Sequence, residues 1–162
     1  MKLIKAPDEF LEKQVKEFDF STMDPGEISK NMIDLMHKYK GIGLAANQVG
    51  VDAQIFVMGE KDPMTVINPI VTEVNTEKVE MEEGCLSFPG LYLKVSRPSV
   101  VSVQYLDIEQ KECIIKLEGF HARVFLHEYD HLQGITFDQR VSKLRLEMAK
   151  KKQEKLLRGL NG

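Results

Sequence analysis

The chain has 162 residues, 43% of them hydrophobic and 29% charged, with a net charge of −3. That length suits one domain with a proper core and is short for two. No apolar run approaches the roughly 20 residues of a membrane helix, and the opening MKLIKAPDEF has no apolar core of a secretory signal. Cys85 and Cys113 lie in dissimilar settings; one disulfide is arithmetically possible, but two thiols without a leader point to a reducing, cytoplasmic compartment.

The first element is a helix. Asp24-Pro25-Gly26-Glu27 offers an N-cap, a proline at the first turn and a glutamate to complete a capping box. Ile28, Met32, Leu35, Met36 and Tyr39 then recur at helical spacing up to Gly41, the expected C-terminal cap. GIGLAANQVG (41–50) is too rich in glycine and alanine to read as a strand. Short β segments come next: AQIFVM (53–58), MTVINP (64–69), IVTEV (70–74), KVEME (78–82) and LYLKVSR (91–97). VVSVQYLD (100–107) pairs naturally with KECIIKL (111–117). Helical spacing returns at Phe120, Val124, Phe125, Glu128, His131 and Leu132 and stops at Gly134, and a last helix starts near Ser142. With no repeat or linker, the expectation is one α+β domain over 1–162. Its antiparallel sheets surround the 120–134 helix, with further helices towards both ends of the chain.

That helix contains HEYDH (127–131). Positions i and i+4 share one helix face, so His127 and His131 can converge on one metal ion, with Glu128 beside a water held there. The plain alternative is a buried histidine next to an exposed His–Glu pair. A third ligand is missing from the pentapeptide. Downstream, Glu147 and Glu154 lie in a lysine-rich segment and no histidine follows His131; upstream, Cys85 sits in EEGCLSFPG. A thiolate with two imidazoles leaves the fourth position open, the catalytic arrangement. A small buried side chain is the competing reading of Cys85, and the one adopted for Cys113.

GIGLAANQ (41–48), EGCLS (83–87) and HEYDHLQG (127–134), in this order and spacing, resemble the three motifs of the peptide deformylases. The likeness also runs through INP (67–69) and the charged final helix, over nearly the whole chain. It implies removal of the formyl group from the initiator methionine of nascent chains, with release of formate. One divalent metal is implied, most often Fe²⁺, with Zn²⁺, Ni²⁺ or Co²⁺ as substitutes. By position, Cys85, His127 and His131 are the implied ligands and Glu128 the general base, while Gln48 and the Leu86 N–H hold the oxyanion. Ile42, Met81, Phe120 and Val124 are implied to line the methionine pocket, with substrate backbone along Ile42–Gly43 and near Gly84. Arg97 and Asp130 are expected to pair behind the ligands and fix the helix. This chain departs from the family pattern at Leu126, commonly Gln, and at Tyr92, an arginine in some members. Tyr129 has no assigned role.

Residues 142–158 hold seven basic and two acidic side chains, so this segment is +5 and the remainder of the chain −8. The expected helix (142–160) carries apolar Leu144, Met148, Leu156 and Leu157, docked on the body by a few of its leucines. The resemblance implies that its lysines contact ribosomal RNA; a solvated surface helix is the alternative. Two rival functions remain at this level: an HExxH peptidase cutting inside chains, and a non-catalytic metal-binding module. Neither a membrane nor a DNA partner is expected, and a monomer is the default.

Overall fold

Helix α1 (Pro25–Lys38) begins where Asp24 accepts hydrogen bonds from the N–H groups of Gly26 and Glu27 at 3.0 and 3.2 Å. Its C-terminus differs from the expectation. The left-handed residue is Lys40 (φ 58°), and Gly41 instead closes the last turn through its N–H to the Met36 carbonyl at 2.9 Å. These details come from a computed structural model describing residues 1–161; residue 162, the last of the expected domain, lies outside them.

GIGLAANQVG does contain a strand, β1 (Gly43–Ala45), followed by one 3₁₀ turn over Ala46–Val49. Then come β2 (Ile55–Met58), β3 (Met64–Val74), β4 (Lys78–Cys85), β5 (Phe88–Pro98), β6 (Val100–Leu106) and β7 (Glu112–Glu118). The two segments expected over 64–74 are one strand. Pro69 lacks an N–H and Asn68 is left-handed (φ 51°), so the register with β6 shifts between Ile67 and Ile70 without ending the strand. One sheet has the order β1-β2-β3-β6-β7 and the second is the β4-β5 hairpin; every pairing is antiparallel.

Helix α2 (Gly119–Leu132) is buried from Ala122 to Leu132 except at Tyr129. It packs on strands of both sheets, which is why its sequence is apolar on more than one face. Phe125 meets Phe56 of β2 edge-on, ring centroids 5.1 Å apart, in the main core. A smaller core of Leu91, Leu93, Val95 and Phe137 underlies α3 (Lys143–Asn161). That helix docks through Leu146 and Ala149, whereas Leu144, Met148 and Leu156 are exposed. Both cysteines are free, and Cys113 is half-buried at the edge of the core rather than inside it.

Candidate metal centre

The donors come from two elements distant in sequence. Cys85 ends β4, just before the Leu86–Ser87 turn into β5. His127 and His131 stand one turn apart on α2, ring centroids 5.1 Å apart. One donor atom from each of Cys85, His127 and His131 lies within 4.8 Å of the others, and Cys85 Sγ is 3.4 Å from His131 Nε2. One thiolate and two imidazoles, buried or half-buried, fit a divalent ion with one position left for another ligand.

Behind the donors lies a charged cluster that only partly matches the expectation. Arg97 Nη1 meets Asp130 Oδ2 at 2.8 Å, the expected contact. Arg97 also donates from Nε and Nη2 to Glu83, at 2.6 and 3.0 Å, and Arg140 donates to both oxygens of Asp130, at 2.8 and 3.0 Å. Glu83 is the hub: it accepts from Arg123 Nη1 at 2.6 Å, and its Oε1 lies 2.8 Å from His127 Nδ1. With Nδ1 engaged there, His127 keeps Nε2 as its free nitrogen, the role of a partner behind a ligand. Arg123 further donates to the carbonyls of Val95 and Val79, tying α2 to both strands of the hairpin. Sequence reading assigns Glu83 and Arg123 no role. Two signals exist all the same: Glu83 lies two residues from Cys85 on a strand, hence on the same face, and Arg123 lies four before His127 on a helix. Arg140, on a 3₁₀ turn, has none.

Burial alone would raise the Glu83 carboxyl, but hydrogen bonds from His127 and Arg97 outweigh it and hold it at about 2. Burial pushes Glu128 up to about 7, with His127 opposing the rise and Glu83 adding to it. Burial works against charge on His127, yet Glu128, Cys85 and Glu83 raise it well above its usual value; burial and the neighbouring His127 charge drive His131 well below. The pocket therefore favours positive charge on its Glu83 side.

Glu128 Oε1 is buried and has no hydrogen-bond partner among the described residues. The carboxylate rests against the α-carbon of Gly43: a Cβ there would lie 2.6 Å from Oε2 and 2.8 Å from Cδ. Gly43→Ala is expected to keep the fold, displace the carboxylate and lower kcat/KM by roughly 100-fold. Activity within threefold of wild type would contradict that account. Gly41 plays the matching part for Leu86, whose Cδ1 would be 2.6 Å from a Cβ.

Gln48, buried in the 3₁₀ turn, accepts from the Ala45 N–H at 2.9 Å. Its Nε2 donates to Ser87 Oγ at 3.1 Å and reaches Cys85 Sγ at 3.5 Å. No hydrogen bond of the Leu86 N–H is found among the described residues. The N-terminal segment straps the two loops together, through Ile4 N–H to the Gln48 carbonyl (2.7 Å) and Ala6 N–H to the Ser87 carbonyl (2.8 Å).

A cavity of about 530 Å³ opens onto this site. Ile42, Gly43, Gly84, Phe120 and Val124 line it, with Gln48, Cys85, Leu86, His127 and Glu128. Met81 does not. It is half-buried about 13 Å up β4 from Cys85, at 3.3 Å per residue, and Glu83 and Arg123 line the wall instead.

A family model described as polypeptide deformylase matches residues 1–147. Peptide deformylase from Aquifex aeolicus is 40% identical over 163 residues, covering 96% of this chain and 96% of that protein. The chloroplastic peptide deformylase 1B of Oryza sativa subsp. japonica is 40% identical over 148 residues, 88% of this chain but 55% of the longer rice protein. The chain thus spans about half the length of that plant relative. Among solved structures, a Plasmodium falciparum peptide deformylase superimposes with TM-score 0.88 at 35% identity, covering 99% of this chain and 97% of that one. The Synechococcus elongatus peptide deformylase in complex with actinonin gives 0.89 at 33% identity, covering 94% and 87%.

Proposed function

We infer the working parts of this protein from one premise: the chain belongs to the polypeptide deformylase family, and so is a hydrolase that removes the formyl group from N-formylmethionyl peptides. We propose Cys85, His127 and His131 as the ligands of one divalent ion, iron(II) in the cell, with zinc, nickel or cobalt able to replace it. Metal analysis of protein purified without oxygen tests the iron assignment. Such an ion acidifies water and polarises the formyl oxygen.

The chain's own groups do the rest. Glu128 takes the proton of the attacking water and returns it to the departing amine. Its buried, unpartnered oxygen beside the Cys–His–His cluster is the observation that carries this reading. Gln48 Nε2 and the Leu86 N–H donate to the oxygen that becomes negative as the formyl carbon turns tetrahedral. A side-chain amide suits that role because it donates without adding charge. The substrate strand lies along Ile42–Gly43 and near Gly84, and its methionine side chain meets Ile42, Phe120 and Val124. Arg97, Asp130 and Glu83 keep His127 and α2 in place.

The rivals fit less well. Most peptidases with this motif take a third ligand from downstream, but Glu147 and Glu154 are exposed on α3. A structural metal module has no use for a buried glutamate beside the ligands. The test is formate release from formyl-Met-Ala-Ser by anaerobically prepared, iron- or nickel-loaded protein; no formate refutes the reading.

We also propose a cytoplasmic monomer; no described helix is long and apolar enough to cross a membrane. The exposed lysines of α3 support ribosome contact. Co-sedimentation of the intact chain should exceed that of a chain ending at 141 and fall with added salt; equal pelleting excludes it.

A further inference from the structure

The geometry points to a second substrate-binding stretch: a groove between β5 and α3 that receives the peptide downstream of the residues held in the cleft. It rests on the deformylase reading and extends it to the substrate's later residues. The groove encloses about 400 Å³ and adjoins the catalytic cavity, with Glu82 and Tyr92 lining both. Tyr92 is the saddle between them. It stands opposite Gly84 in the hairpin register, and its ring lies so close that a Cβ on Gly84 would be 3.0 Å from Cε1. An extended chain leaving Gly84 therefore crosses the tyrosine ring and enters the groove.

The walls indicate what that chain should carry. Leu144 and Met148, one helical turn apart, are 68% and 58% exposed, and Tyr92 is 56% exposed. These apolar surfaces face a groove rather than the core, which α3 reaches through Leu146 and Ala149. Lys94 and Lys152 also line it, and neither forms an ion pair among the described residues. Arg145 is already committed, to Glu80 at 2.9 Å and the Lys94 carbonyl at 2.8 Å, so it holds the helix. Glu82 is the one acid in the lining. From Leu144 to Lys152 the helix rises about 12 Å, the span of three to four extended residues. The occupant is thus a stretch of the substrate beginning at about its fourth residue, with apolar side chains for Leu144 and Met148 and carboxylates for Lys94 and Lys152.

The test compares formyl-Met-Ala-Ser with formyl-Met-Ala-Ser-Leu-Glu-Leu-Glu and formyl-Met-Ala-Ser-Gly-Lys-Gly-Lys, using the iron- or nickel-loaded full chain and its L144S/K152E variant. The Leu-Glu peptide should show about fivefold higher kcat/KM than the tripeptide, through KM, the size expected of one apolar contact and one screened ion pair. The Lys peptide should show no gain. In the variant the Leu-Glu gain should vanish while tripeptide turnover stays the same, and in wild type it should shrink in 0.5 M salt. An equal gain in wild type and variant, no gain in wild type, or equal use of the two long peptides overturns the groove. Ribosome pelleting that changes in the variant without any change in the peptide ratio also overturns it, assigning the face to another partner. If formyl-Met-Ala-Ser itself releases no formate, the deformylase reading falls and the inference with it, a result distinct from the others.

Discussion

Glu128→Gln is expected to lower kcat/KM for formyl-Met-Ala-Ser by roughly 10³–10⁴-fold with full metal content, the scale of losing a positioned general base. The amide copies the carboxylate in shape, so the buried packing against Gly43 survives and only proton transfer is removed. The same group sets the pH profile. Burial raises Glu128 to about 7, and a cation held next to it favours the carboxylate. The active, deprotonated form is therefore present above that value, and rate falls on acidification with a midpoint at or below about 7. Formate release measured against pH in wild type and variant checks both points. A variant within tenfold of wild type would assign the base elsewhere.

Glu83→Ala should be the most destabilising single change in the site, by roughly 3–5 kcal/mol, because it strips a buried partner from two arginines. Arg97 would keep only Asp130, Arg123 only carbonyls, and His127 Nδ1 would lose its acceptor. At this chain length the loss corresponds to a fall in Tm of about 10 °C. The depressed carboxyl sets the pH sign. Glu83 is held at about 2 against its ordinary 4.5, so its contribution is complete above the ordinary value and fades as pH drops towards the lower one. The deficit of the variant should therefore shrink on acidification. Metal affinity should fall as well, about 10–100-fold, since the partner that orients a ligand is gone. Arg97→Ala should act in the same direction more mildly, because Arg123 and Arg140 remain on Glu83 and Asp130. Thermal unfolding and metal titration read these effects; Glu83→Ala protein with wild-type Tm and metal affinity would refute the account.

HEYDH is readable because helical spacing converts i and i+4 directly into one face, so two candidate ligands and the candidate base emerge from local geometry. Asp24, Pro25 and the apolar rows of α1 and α2 are legible in the same way. Cys85 is only a candidate in the linear chain, for its distance from His131 is set by how the hairpin lies on α2. Glu83 shows the limit more sharply. In EEGCLS it is one of two adjacent acids, yet Glu82 is exposed while Glu83 is buried against two arginines and His127. Strand alternation separates the two, but which face meets α2 is a packing outcome.

The corrections share that cause. Met81 shares a face of β4 with Cys85, yet it is not among the described residues that line the cavity. Lys40 takes the left-handed turn expected of Gly41, whose missing Cβ instead makes room for Leu86. In α3, Leu144 and Leu146 lie two residues apart and so on nearly opposite sides of the helix, and composition does not say which side docks. The linear chain by itself determines whatever depends on periods of two and 3.6 residues: most elements, the paired helical histidines and the glutamate between them. The approach of the candidate third ligand, the charges behind it, the docking side of α3 and the groove above it depend on contacts between different elements, and those exist only once the hairpin, α2 and α3 are packed together.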